Sequence, residues 1–246
     1  MRRGPSAADA VTIANGICGF LALAVIGGLV FADDSAGAGL PDETLRICLL
    51  LYGLGMVCDV LDGPVARLAG SSGLGSTLDT ISDTITFGAL PALLLVATND
   101  GSGAQAAVVV AACAYVATTM VRLARHAAAE TAARVAAASE GGDIVRGAFR
   151  GVPSPVGGNL LLATVILAPP AGVAAAFTAI VALLLVCDIP YPNNASWAGA
   201  FVIGLLVASF AAIAGLVALE VPAVIALVGL LPPAVLGFAQ RIARGV

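Results

Sequence analysis

The sequence predicts an all-α fold, a polytopic integral membrane helical bundle of about eight transmembrane helices, each of roughly 20 residues. Three observations predict it. Hydrophobic residues fill 60% of the 246 positions and charged residues 11%, against roughly a quarter charged in an ordinary soluble domain. The apolar residues gather in runs long enough to cross a bilayer, which solvates such side chains directly. Laid across a membrane, those runs leave almost every arginine on one side.

The candidate spans, in order, are 11–31, 45–68, 77–97, 105–126, 155–168, 171–187, 197–219 and 221–241. The first follows Arg2 and Arg3, yet it spans, it carries Thr12, Asn15 and Cys18, and no Ala-x-Ala-like site closes it. It reads as a transmembrane helix, not a cleaved signal peptide. The second and third are joined by a Gly/Ser turn, Gly70 to Gly75. The fourth runs into the one long polar stretch, 127–154, rich in Ala, Arg, Glu and Gly. The fifth is short, and Pro169 and Pro170 part it from the sixth, so the pair is either two spans or a re-entrant hairpin. Pro153 and Pro155 set the turn into the fifth, and Tyr191 and Trp197 read as interfacial anchors. No repeat of solenoid period is visible, so residues 1–246 read as a single membrane domain.

With an even span count, one side receives Arg2, Arg3, Arg67, Arg122, Arg125, Arg134, Arg146, Arg150, Arg241 and Arg244, and the other only Arg46. The positive-inside rule makes the arginine-rich side cytoplasmic. The 5 cysteines lie in or beside apolar runs without Cys-x-x-Cys spacing, so they read as packing residues and not as disulfides or zinc ligands. A net charge of −4 with no lysine gives no reason to expect a nucleic-acid partner. The missing lysine and the acidic outward loops hint at a salt-adapted organism.

Ionisable residues inside membrane segments are costly and default to functional sites. Four carboxylates fall between residues 58 and 88. Asp59 and Asp62 are three apart at the cytoplasmic end of the second span, and Asp79 and Asp83 four apart at the start of the third, so each pair shares a helix face. The tight turn lets the two faces meet. Four facing carboxylates repel unless they bind protons or cations, and all-oxygen ligation suits Mg²⁺, Mn²⁺ or Ca²⁺. Two such ions would neutralise the charge, and paired metals are a common device of phosphoryl transfer. Gly63 lets a substrate approach the backbone, and Arg67, a turn on, offers a bidentate cation to a phosphate.

Asp59, Asp62, Gly63, Ala66, Arg67, Gly75, Asp79 and Asp83, in this order and spacing, closely resemble the signature of the CDP-alcohol phosphotransferases. The interval from Arg67 to Gly75 is one residue shorter than is usual there, which bears on the pose of the turn. The resemblance implies that Asp59, Asp62, Asp79 and Asp83 hold the two divalent cations and that Asp83 is also the general base for the acceptor hydroxyl. It implies contacts to a CDP-lipid from Gly63, Arg67, Ser72 and Gly75. It further implies a six-helix core, about residues 8–195, with additional helices over about 196–242, and the habit of forming homodimers. The donor is CDP-diacylglycerol or, if the salt-adapted composition marks an archaeal chain, CDP-archaeol.

Five further motifs resemble the branch whose acceptor is serine: TIANGICGF (Thr12 to Phe20), TFGALPA (Thr86 to Ala92), RLARH (Arg122 to His126), GVPSP (Gly151 to Pro155) and IPYP (Ile189 to Pro192). That branch usually has Phe-Asn where this chain has His126 and Ala127. Arg122, Arg125 and Arg150 are the cations placed to bind a serine carboxylate; each reads equally as a headgroup-level anchor. Asn15 either touches the CDP group or bonds a neighbouring helix. His126, alone at a helix end with a base already available in Asp83, reads as a bystander. Competing readings are a sister enzyme using inositol phosphate or glycerol phosphate, a divalent-cation transporter, and an inactive scaffold.

Overall fold

The first helix, α1 (Ala7–Ala32), opens on a reciprocal cap: the Ser6 backbone N–H donates to Asp9 Oδ2 at 2.6 Å and the Asp9 N–H to Ser6 Oγ at 3.2 Å. Two of the orphan donors of a helix start are satisfied this way. The structure is a computed structural model and describes residues 4–32, 40–70, 72–140, 149–187 and 190–191. After α1 come α2 (Asp42–Ala69), α3 (Gly75–Asp83), a π-helical segment (Thr84–Ala89) and α4 (Leu90–Thr98). Then follow α5 (Gln105–Glu140), β1 (Phe149–Arg150), α6 (Ser154–Leu167), α7 (Ala171–Val186) and β2 (Pro190–Tyr191).

Among the described residues, four stretches are long and apolar enough to cross a membrane: Ala7–Gly28, Asp42–Ala69, Gly75–Thr98 and Gln105–Ala133. They answer the first four predicted spans. The fifth and sixth predictions meet α6 and α7, of 14 and 16 residues, each below the roughly 20 that a straight crossing needs. The chain turns between them at Ala168, whose φ of 43° is left-handed, before Pro169 and Pro170. Spans 197–219 and 221–241 lie outside the described residues.

Two elements depart from expectation. Helix α5 does not stop at residue 126 but continues through the polar stretch to Glu140. Residues 127–140 are mostly alanine, the strongest helix former, so polarity there does not end the helix. The all-α expectation also meets a two-residue antiparallel ladder, Phe149 opposite Tyr191 and Arg150 opposite Pro190, which ties the entry of α6 to the exit of α7. Gly151 beside it has φ 78° and lies against the Leu185 and Cys187 carbonyls, a position without room for a Cβ.

Among the described residues the buried core has two parts. One lies among α1, α2, α4 and the adjoining helices, around Ala22, Ile26, Cys48, Tyr52, Leu90 and Leu94. The other joins α5, α6 and α7 around Tyr115, Leu160, Leu161, Val181 and Leu185. Small residues let the backbones close on each other, as membrane helices require when burial alone drives no association. A Cβ on Gly19 would stand 2.5 Å from Thr86 Oγ1 and 3.0 Å from Thr86 Cα; one on Gly16 would stand 2.9 Å from Ser82 Oγ. Helix α1 is thereby laid against the stretch that carries Asp83. Gly19→Val is expected to destabilise the fold by about 1–3 kcal/mol through overpacking, whereas Gly27→Ala, which meets nothing within 4 Å, is expected to be neutral. Thermal unfolding in detergent checks both.

Candidate active site

Helices α2 and α3 run to and from a tight turn, so the ends bearing the four aspartates lie side by side. Gly70, with φ 85°, ends α2. Ser72 is buried and its Oγ accepts the Leu74 N–H at 3.0 Å, which shapes the turn just before α3 starts at Gly75. Across this turn Asp59, Asp79 and Asp83 come together, with one carboxylate oxygen of each within 4.8 Å of the others. Asp83 is the most enclosed of the three, only 5% exposed.

Asp62, the fourth predicted member, stands outside this group. Its Oδ2 accepts from Thr12 Oγ1 at 3.0 Å. Asn15, one turn along α1 from Thr12, donates its Nδ2 to Asp83 Oδ1 at 3.1 Å and has no exposed surface. Of the two expected roles for Asn15, the bond to a neighbouring helix is the one seen. The approach is close because Gly55 leaves room for it: a Cβ there would stand 2.9 Å from Asn15 Oδ1. One face of α1 therefore holds a carboxylate of α2 through Thr12 and one of α3 through Asn15.

The arginines separate sharply. Arg122 on α5 is 8% exposed, so it is no headgroup-level anchor. Its Nη1 donates to Ser154 Oγ at 2.5 Å, its Nε has no partner among the described residues, and its charge acts on Asp59, Asp79 and Asp83. Arg125 is exposed and reaches the Val186 carbonyl at the end of α7, at 3.4 Å. The backbone of Arg150 lies in β1, and its side chain is outside the described residues. Arg67 is exposed on the last turn of α2. A Cβ on Gly63 would meet nothing within 4 Å, so the backbone there faces open space. His126 is exposed.

Three residues outside the predicted set also bear on the site. Asp9 is buried, its Oδ1 has no hydrogen-bond partner among the described residues, and Gly75 packs over it, with Cβ space 3.5 Å away. Glu130 on α5 adds a further negative charge acting on Asp79. Tyr115 is fully buried and its hydroxyl donates to the Phe87 carbonyl at 2.7 Å. The only signals in the sequence are a polar residue in an apolar helix (Asp9, Tyr115) or one on the stripe of α5 that Tyr115 and Thr119 begin (Glu130).

Three like charges this close in a membrane protein require a counter-charge, and a donor set made only of carboxylate oxygens fits a hard divalent cation. A helical membrane bundle with a cation-competent carboxylate cluster beside a buried arginine is suited to handling a phosphorylated substrate. The sequence profile described as CDP-alcohol phosphatidyltransferase matches residues 6–211. A CDP-diacylglycerol–serine O-phosphatidyltransferase of Methanocaldococcus jannaschii is 31% identical over 173 residues, 69% of this chain and 76% of that protein. An enzyme of the same name from Saccharomyces cerevisiae is 37% identical over 95 residues, which is 38% of this chain and 32% of that protein. The chain belongs to the CDP-alcohol phosphatidyltransferase family. It is a transferase of phospholipid biosynthesis, acting on a CDP-lipid and an alcohol in a membrane.

Mn²⁺ is expected to bind the purified protein in detergent, and Asp83→Asn to weaken that binding at least about tenfold, since it removes the charge of one of the three clustered carboxylates. Electron paramagnetic resonance titration measures this directly.

Proposed function

We propose that this protein transfers the phosphatidyl, or archaetidyl, group of a CDP-lipid to the hydroxyl of L-serine and releases CMP. The observation that carries the reading is the buried Arg122 beside the three carboxylates: one cation, withheld from solvent, with donor capacity left over. A serine carboxylate is a ligand of matching charge and geometry. The two relatives named for serine support the same acceptor.

In this reading Asp59, Asp62, Asp79 and Asp83 would hold two divalent cations, Mg²⁺ or Mn²⁺, which when bound neutralise the diphosphate and polarise the phosphorus under attack. The rest is done by the chain. Gly63 admits the CDP-lipid against the α2 backbone, where Ser72 and Gly75 shape the turn that receives it. Arg67 meets its phosphates, while Arg122 orients serine by its carboxylate. Arg125 and Arg150 supply positive charge at the entrance. Asp83, its Oδ1 fixed by Asn15, accepts the proton of the serine hydroxyl, and the oxygen attacks the lipid-side phosphorus. The bond to the CMP oxygen breaks, and Arg67 stabilises the charge that leaves with it. The arginine-rich ends face the cytoplasm, and the full chain forms one domain of about eight spans by the hydropathy of its C-terminal third.

CMP release by the purified protein with Mn²⁺ tests the assignment. Serine, inositol phosphate and glycerol 3-phosphate are offered with CDP-diacylglycerol, then with CDP-archaeol. Release that depends on serine is expected; release only with another acceptor would overturn serine while leaving the family chemistry intact. Arg122→Ala is expected to raise the serine KM at least about tenfold, more than the CDP-lipid KM, because a charged hydrogen bond to the acceptor alone is lost. Equal effects on both KM values would remove Arg122 from the acceptor site.

A further inference from the structure

The helix that carries Asp79 and Asp83 does not run straight into the membrane. At Thr84 it widens into a π-helical turn that lasts until Ala89. Such turns are rare and are found frequently at functional sites. The local sequence disfavours the α alternative. Thr84, Ile85 and Thr86 are β-branched and Gly88 is a weak helix former. Pro91 has no N–H to give the Phe87 carbonyl four residues earlier, and its ring crowds that carbonyl. The Leu90 N–H accordingly reaches back five residues, to Ile85 O.

Other helices hold the wide turn in place. The Tyr115 hydroxyl of α5 donates to Phe87 O at 2.7 Å, and Thr86 Oγ1 donates to the Asn15 carbonyl of α1 at 3.0 Å. Asn15 is the residue whose amide also holds Asp83. Gly158 of α6 closes over the turn, with Cβ space 3.2 Å from Phe87 O. A π turn contains one residue more than the α turn it replaces, so restoring α register would rotate α3 by about 100° relative to α4. Asp79 and Asp83 would then leave the face that meets Asp59.

We propose that the π-helical turn, pinned at Phe87 by Tyr115 and at Thr86 by α1, sets the Asp83 carboxylate against Asp59 and Asp79, which makes Tyr115 a positioning residue for the site. The proposal rests on the reading of these carboxylates as the reaction centre. It gives the run from Thr86 to Ala92 a physical role: with Thr84 and Ile85 before it, its threonine, glycine and proline place a carboxylate one turn away.

The test compares Tyr115→Phe and Thr86→Val with Tyr52→Phe. Tyr52 stacks edge-on against Phe87 but its hydroxyl donates elsewhere, to Pro155 O at 3.3 Å, so this variant removes a buried hydroxyl from the same core without touching the hydrogen bonds of the π turn. Mn²⁺ affinity by paramagnetic resonance, and kcat and KM for CMP release, are measured on each. Tyr115→Phe and Thr86→Val are each expected to weaken Mn²⁺ binding and lower kcat about tenfold, with the CDP-lipid KM within about twofold of wild type. Tyr52→Phe is expected to match wild type in both. Should Tyr115→Phe prove unfolded by thermal melting, Thr86→Val carries the same expectation. If both pinning variants bind Mn²⁺ and turn over as Tyr52→Phe does, while Asp83→Asn is inactive, the inference is overturned and the site reading stands. If Asp83→Asn itself keeps wild-type Mn²⁺ binding and turnover, the site reading falls and takes the inference with it.

Discussion

Mutual repulsion among Asp59, Asp79 and Asp83 is the constraint on which the rest of the structure depends. Oxygens of three carboxylates within 4.8 Å of one another, at the end of helices that cross a membrane, would separate if the chain allowed it. The chain forbids this at several points. A tight turn ties α2 to α3. Helix α1 lies across both and grips one carboxylate of each through Thr12 and Asn15. Glycines on α1 and α2 make that grip possible by letting backbones approach to distances that any side chain would block. Arg122 supplies the opposing charge from α5, itself fixed by Ser154 at the start of α6. Elements scattered along the chain thus converge on one electrostatic problem.

What the sequence disclosed follows from the range of the interactions involved. Asp59 with Asp62 and Asp79 with Asp83 were readable because helical spacing alone decides which side chains share a face, and four carboxylates in one short apolar stretch are too costly to stand there without a cation to meet them. The first four spans were readable because hydropathy is local. The exclusion of Asp62 from the tightest group was not, since it depends on Thr12 of another helix. The choice between anchor and buried cation for Arg122 was equally hidden, because burial is decided by how α5 and α6 pack. The same holds for Asn15, whose partner is 68 residues away. The π turn occupies a middle ground. Some of its ingredients, Thr86, Gly88 and Pro91, were visible within a motif, but only packing against Tyr115 and α1 turns a weak helix into a defined wide one. The end of α5 differs from expectation for another reason: polarity suggests a loop where alanine content favours helix.

Charge arithmetic links the site to its chemistry. Three carboxylates against one guanidinium leave a surplus of negative charge before Asp62 and Glu130 are counted, and a diphosphate substrate adds more. A site so charged repels its own donor. Divalent cations reverse the sign of that encounter, and this is why an all-oxygen cluster and a diphosphate belong together. Arg122 is held by Ser154, with no ion pair to an aspartate among the described residues. A guanidinium fully neutralised by an aspartate could not attract an anionic group on the acceptor, whereas one that faces the cluster from a distance, with Nε unpartnered among the described residues, keeps donors to offer. If Arg122 meets the acceptor as proposed, the same negative surplus that demands cations for the diphosphate would leave a buried cation for the acceptor, and donor and acceptor would be kept apart by the sign of the charge that each one meets.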